Sequence, residues 1–232
     1  MMTKGYIFDY GGTLDTGGCH WGRLIGECYR RCGVPVSEKL FREAYVYAER
    51  ELGKNPIVQP DYSFHKTLEV KLAIEMEYLE RADPQFHTAD YHQAVLDMLY
   101  QNTIRQTTRS REVVKTLAKQ YPLVLVTNFY GNMHQVLSEF GFDGIFDQVV
   151  ESAVVGIRKP DSRIFTLGVE ALGLKAEEVT VVGDSYDKDI VPAHEAGCKT
   201  IWLKGLGWTD EQPDGAVADR IITDIEQLLE SH

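Results

Sequence analysis

The feature that most constrains this chain is a short apolar run, Tyr6-Ile7-Phe8, that closes on Asp9 and opens at once into Tyr10-Gly11-Gly12-Thr13-Leu14-Asp15. An apolar run of this length bounded by turn residues reads as a buried strand. A carboxylate leaving such a strand onto a glycine-rich turn is held rigidly, while the chain turns away and leaves room for a ligand. In an open α/β sheet the carboxyl edge of the strands is where ligands bind. A carboxylate placed there serves as a nucleophile or a metal ligand. Taken alone, Asp9 reads equally well as an ordinary loop cap.

Further strand patterns occur at Leu123–Thr127, Gln148–Val150, Val179–Val182, Thr200–Leu203 and, more weakly, Arg220–Ile222. Helical patterns lie between them. Val113, Val114 and Leu117 follow Ser110 as an N-cap; Ile164, Phe165, Gly168, Val169 and Leu172 follow Asp161; Ile190, Ala193 and Ala196 end at Gly197. This alternation predicts an α/β fold, a Rossmann-like parallel sheet flanked by helices on both faces. Residues 18–104 break it. They show only helical stretches, at about 20–32, 37–52, 63–80 and 90–102, with Ser37 as a helix start and Pro35, Pro56, Pro60 and Pro84 in the connections. The reading is a core of residues 1–17 and 105–232 with an insertion at 18–104, joined by linkers near Thr16–Gly18 and Ile104–Ser110.

Three downstream segments bear on Asp9. They are Val124-Leu125-Val126-Thr127-Asn128, then Gly156-Ile157-Arg158-Lys159-Pro160-Asp161, then Val179-Thr180-Val181-Val182-Gly183-Asp184-Ser185-Tyr186-Asp187-Lys188-Asp189. Asp184 and Asp189 sit where a strand hands over to a helix, and both can point at the space in front of Asp9. Three clustered carboxylates are hard to hold without a cation, and all-oxygen ligation favours Mg²⁺. The bland readings are helix capping for Asp184 and Asp189 and a solvated loop charge for Lys159. Asp15 and Asp187 read as hydrogen-bonding loop residues.

In order and spacing these four segments resemble the four motifs of the haloacid dehalogenase-like hydrolase superfamily, over roughly residues 1–16 and 105–205. The resemblance implies that the insertion is an all-helical cap, which would exclude water and select the substrate. It implies an Mg²⁺-dependent phosphatase of a small phosphorylated metabolite, with Asp9 as nucleophile. Lys159 would share the catalytic work by offsetting phosphoryl charge. Thr127, Asn128, Lys159 and Gly12 would hold the phosphate. Asp9, the Gly11 carbonyl, Asp184 and Asp189 would hold the metal.

The chain departs from the family's phosphatases at one position. They carry a second Asp two residues after the nucleophile, which protonates the leaving group; here that residue is Gly11. A positioned acid/base is worth about 10²–10⁴ in rate. Haloacid dehalogenases carry a Tyr there and need no metal. Phosphonoacetaldehyde hydrolases carry an Ala and use a cap lysine as a Schiff base, for which Lys54, Lys66 and Lys71 are candidates here. A phosphate-binding module without turnover is the third alternative. A glycine required at 11 for a positive φ would bar any side chain from that turn.

The formal net charge of −11 argues against non-specific nucleic-acid binding, which depends on basic surface. A metal and a lysine can still reverse the sign locally for a phosphorylated ligand. No signal segment and no apolar stretch of about 18 residues is present, so neither secretion nor a membrane partner is expected. Cys19, Cys28, Cys32 and Cys198 form no CxxC pair, which favours reduced thiols in a cytoplasmic protein over a zinc site.

Overall fold

Six strands form one fully parallel sheet in the order β3-β2-β1-β4-β5-β6. They are β1 (Gly5–Phe8), β2 (Leu123–Thr127), β3 (Gln148–Glu151), β4 (Val179–Gly183), β5 (Lys199–Leu203) and β6 (Arg220–Ile222). The computed structural model describes residues 2–209 and 213–230; residues 1, 210–212 and 231–232, assigned to the core from sequence, lie outside the described residues. The chain builds outward from β1 to β3 and then returns to β4 on the other side of β1. The order therefore reverses between β1 and β4, whose register pairs Phe8 with Val182. A crevice at such a reversal is where ligands bind in sheets of this kind. The backbone N–H of Asp9 donates to Val182 O at 3.0 Å, which fixes the first residue beyond β1 over this crevice.

The apolar strands are buried on both faces, as a parallel sheet requires. Alternation along β2 sends Leu123 and Leu125 into one apolar cluster and Val124 and Val126 into the other. The second cluster packs α7 (Arg163–Leu172) and Ala193 of α8 (Val191–Glu195) against the sheet. The first is continuous with the helical insertion between β1 and β2, joining Phe8 and Leu125 to Ile25, Phe41 and Leu72.

That insertion comprises α1 (Trp21–Arg31), α2 (Glu38–Lys54), α3 (Phe64–Ala82) and α4 (His92–Leu117). Ser37 caps α2 by accepting the Leu40 N–H, as its sequence position predicts. The start of α3 is tied to α5 (Met133–Glu139) of the sheet layer. Glu139 accepts the N–H groups of Phe64 and His65, together with the Tyr100 hydroxyl at 2.7 Å. Asn132 donates to Tyr62 O and Thr67 Oγ1, both at 2.8 Å. The short α6 (Ser152–Val155) completes the set.

One expectation is corrected. The linker placed at Ile104–Ser110 is the middle of α4, and Ser110 is a buried interior residue of that helix instead of an N-cap. Within that stretch two hydroxyls turn back onto the helix: Thr107 Oγ1 donates to Thr103 O and Thr108 Oγ1 to Ile104 O, each at 2.7 Å. No Gly or Pro interrupts residues 92–117.

Candidate active site

The fold brings the four sequence segments together at the carboxyl edge of β1, β2 and β4. Asp9 is 5% exposed, and Lys159, from the loop after α6, is 4% exposed. Lys159 Nζ donates to Asp9 Oδ1 at 2.6 Å and to Asp189 Oδ1 at 2.7 Å. The other Asp189 oxygen accepts the Ser185 N–H at 3.0 Å, so Asp189 anchors Lys159 from a rigid turn. One ligand oxygen from each of Asp9, Asp184 and Asp189 lies within 4.8 Å of the others.

Thr13, which sequence reasoning passed over, joins the two halves of the crevice. Its hydroxyl accepts the Asp184 N–H at 3.0 Å and lies 3.0 Å from Asp9 Oδ2 and 3.1 Å from Asp184 Oδ1. Its position four residues after Asp9 on a tight turn was the available signal. Asp15 is a hydrogen-bonding loop residue, as expected: it accepts the Gly12 N–H at 2.7 Å and Trp21 Nε1–H at 3.0 Å. It thereby ties the turn after β1 to α1.

The electrostatics record the crowding. Burial pushes the Asp9 carboxyl up to about 6, against the pull of Lys159. Burial, with the charges of Asp189 and Asp9, drives Asp184 well above the carboxylate range. Burial also lowers the tendency of Lys159 to hold its proton, but Asp189 and Asp9 outweigh it and keep the ammonium charged. One ammonium does not neutralise three carboxylates, so the oxygen-rich site fits a hard divalent cation.

Two of the residues read as phosphate partners, Asn128 and Gly12, also make contacts within the protein. The Asn128 side-chain amide pairs with the Lys159 backbone, accepting its N–H at 2.9 Å and donating to its carbonyl at 3.1 Å. It therefore positions the lysine. The Gly12 N–H is used by Asp15, and Gly12 is needed for its φ of +101° and because a Cβ there would run into the Asp184 carboxylate. Gly11 lies outside the left-handed region, and a Cβ there would meet nothing within 4 Å. No backbone reason therefore excludes a side chain at 11. Thr127, wholly buried at the end of β2, has an Oγ1 with no protein partner, which suits a hydroxyl meant for a phosphoryl oxygen.

Of the three cap lysines, Lys54 is exposed and Lys66 pairs with Glu69 on the surface. Lys71 alone reaches the cavity of about 490 Å³ that extends from Asp9 into the cap. Its ammonium is ion-paired with Glu49, which holds it charged despite burial. A Schiff base needs the neutral amine.

A parallel sheet with a buried carboxylate–lysine pair at its switch point is an α/β fold whose polar site lies at the carboxyl edge of the strands. The chain matches the model of the haloacid dehalogenase-like hydrolase family over residues 3–197, and it belongs to that family. It is 31% identical to the glyceraldehyde 3-phosphate phosphatase of Pyrococcus furiosus over 209 residues, 86% of this chain and 79% of that protein. It is 36% identical to the glyceraldehyde 3-phosphate phosphatase of Methanocaldococcus jannaschii over 94 residues. That stretch spans 40% of this chain and only 41% of that protein. Among solved structures, a dehalogenase in an intermediate complex superposes with a TM-score of 0.65 at 16% identity, covering 97% of this chain and 95% of that one. Among the described residues no helix is long and apolar enough to cross a membrane.

Proposed function

We propose that the protein is an Mg²⁺-dependent phosphatase of small phosphorylated metabolites that acts through an aspartyl nucleophile. The observation that carries this reading is the Asp9 carboxylate paired with Lys159 and gathered with Asp184 and Asp189 at the switch point of the sheet. The names of the two phosphatases above support the substrate class.

Asp9 attacks phosphorus, forming an oxygen–phosphorus bond as the bond to the leaving-group oxygen breaks. Water then attacks the aspartyl phosphate, releasing inorganic phosphate and restoring the carboxylate. Lys159 and the Thr127 hydroxyl hold phosphoryl oxygens, and Asn128 keeps Lys159 in place. Asp9, the Gly11 carbonyl and Asp184 would hold Mg²⁺, with Asp189 supporting from its bond to Lys159. When bound, the ion neutralises phosphoryl charge next to the carboxylates. No side chain at 11 protonates the leaving group, so the first step depends on the leaving group's own acidity.

We divide the chain into a core of residues 1–17 and 105–232 and a cap of residues 18–104. The second junction lies inside α4, so a continuous helix is shared by both parts. Four free thiols, two of them buried, favour a reducing, cytoplasmic setting.

The test is turnover of phenyl phosphate, phosphonoacetaldehyde and 2-haloacids by the purified protein, with and without Mg²⁺. Mg²⁺-dependent release of phosphate that Asp9→Asn abolishes is expected. Turnover of a 2-haloacid without metal would replace this reading by dehalogenation.

A further inference from the structure

The cavity has a second polar wall beyond the residues gathered around Asp9. It is formed by His20, Glu49 and Lys71 from the cap and by Arg158 and Lys188 from the core loops. His20 caps α1 by accepting the Gly22 N–H on Nδ1 at 3.0 Å. A neutral ring so held carries its proton on Nε2 and is a donor there. Burial, with Lys188 and Lys71 nearby, pushes His20 down to about 4 and keeps the ring neutral near pH 7.

Lys71 pairs with Glu49 and sits 4.6 Å over the Tyr45 ring. Burial would raise the Glu49 carboxyl, but Lys71, then Lys188 and Arg158, hold it below its ordinary value. All three cations are therefore close enough to act on one carboxylate. Arg158 and Lys188 have no ion-pair partner among the described residues, and both side chains are exposed to the cavity mouth. The wall thus sets one neutral donor and three cations against the Glu49 carboxylate, already committed to Lys71, with the exposed Asp187 and the Thr67, Tyr45 and Tyr130 hydroxyls also lining the cavity.

The excess of positive charge on this wall favours an anionic group over a neutral polyol. The wall does not suit a stacked base. Tyr45 and Trp208 pack on each other with centroids 5.0 Å apart, while Lys71 and Arg42 cover their rings.

We propose that the cap half of the cavity is a subsite for a second oxyanion on the substrate's leaving group, a carboxylate or a second phosphate. Arg158, Lys188 and Lys71 bind it, with His20 Nε2–H as a further donor. This rests on the phosphatase reading above and specifies its substrate class: phosphomonoesters of acidic or doubly phosphorylated alcohols.

The test compares kcat/KM, with Mg²⁺ present, for phenyl phosphate, 3-carboxyphenyl phosphate and 1,3-phenylene bisphosphate, the last corrected for its equivalent esters. The phenol leaving groups keep chemistry comparable across the three. At least one of the two esters whose leaving group carries a second anion should exceed phenyl phosphate by about tenfold or more, and the ester that does so identifies carboxylate or phosphate. In the Arg158→Gln/Lys188→Gln variant the ratio should fall towards one. Equal values for all three esters in the wild type, or a ratio unchanged in the variant, overturn the subsite while leaving the phosphatase intact. Failure to hydrolyse even phenyl phosphate removes the phosphatase reading, and the subsite with it.

Discussion

Lys159 Nζ and Asp9 Oδ1 stand 2.6 Å apart with both side chains almost wholly buried. Removing one member of a buried pair strands the charge of the other, at about 3–5 kcal/mol. Lys159→Met should therefore lower the unfolding free energy by about 3 kcal/mol at pH 8 without metal. The loss should be smaller at pH 5, where Asp9, whose carboxyl is already pushed up to about 6, takes up a proton. Urea titrations at the two pH values check this. An equal loss at both would show that Asp9 is not the group left unpaired.

Gly11 has open space where a Cβ would go and a φ outside the left-handed region, so Gly11→Asp should fold normally. It should raise turnover of alkyl phosphates by about tenfold or more and that of aryl phosphates much less, because only poor leaving groups need the proton. Parallel assays on ethyl and phenyl phosphate give the comparison. An equal rise on both would mean that the new carboxylate acts otherwise than as an acid.

Asp9 and Asp184 both have raised pKa values, so a metal must displace their protons. The apparent Mg²⁺ affinity should fall as pH drops through about 6, by up to tenfold per pH unit for each proton displaced. Calorimetry in buffers of different ionisation heat should detect the proton release, and Asp184→Ala should remove the binding. Affinity that does not change with pH would contradict the ligand assignment.

Glu75 is wholly buried in the cap, accepts the Tyr29 hydroxyl at 3.2 Å, and has an Oε1 without a partner. Burial pushes it up to about 7, with Lys71 opposing. A carboxyl raised in the folded state stabilises the fold at pH below its unfolded value of 4.5, and that contribution is lost as pH rises through about 7. Glu75→Gln should remove this dependence. Relative to wild type it should gain about 1–3 kcal/mol between pH 5 and pH 8, measured by denaturant unfolding.

The sheet was legible because its inner strands β1, β2, β4 and β5 are short apolar runs, nearly all of whose residues are buried, and the residues at the strand ends fall where ligands bind. Asp9, Lys159, Asp184 and Asp189 converge as their motif order predicts. What escaped was the use each polar group makes of its neighbours. Asn128 reads as a free amide until the Lys159 peptide is seen folded against it. Residues 104–110 look like a linker because hydroxyls bonded back to their own helix, as those of Thr107 and Thr108 are, leave no mark in the sequence. The cationic wall was not read from the sequence: Arg158 and Lys188 directly precede Lys159 and Asp189, but only the tertiary fold brings His20 and Lys71 beside them.

The central claim is that Asp9 becomes covalently phosphorylated. The direct measurement is mass spectrometry of protein quenched rapidly after mixing with phenyl phosphate and Mg²⁺. The peptide containing Asp9 should gain the mass of one phosphoryl group, at a level that rises with substrate and disappears when Mg²⁺ is removed. The Asp9→Asn protein should show no such gain and no turnover. Steady phosphate release without any adduct on that peptide, or release that survives Asp9→Asn, would contradict the account.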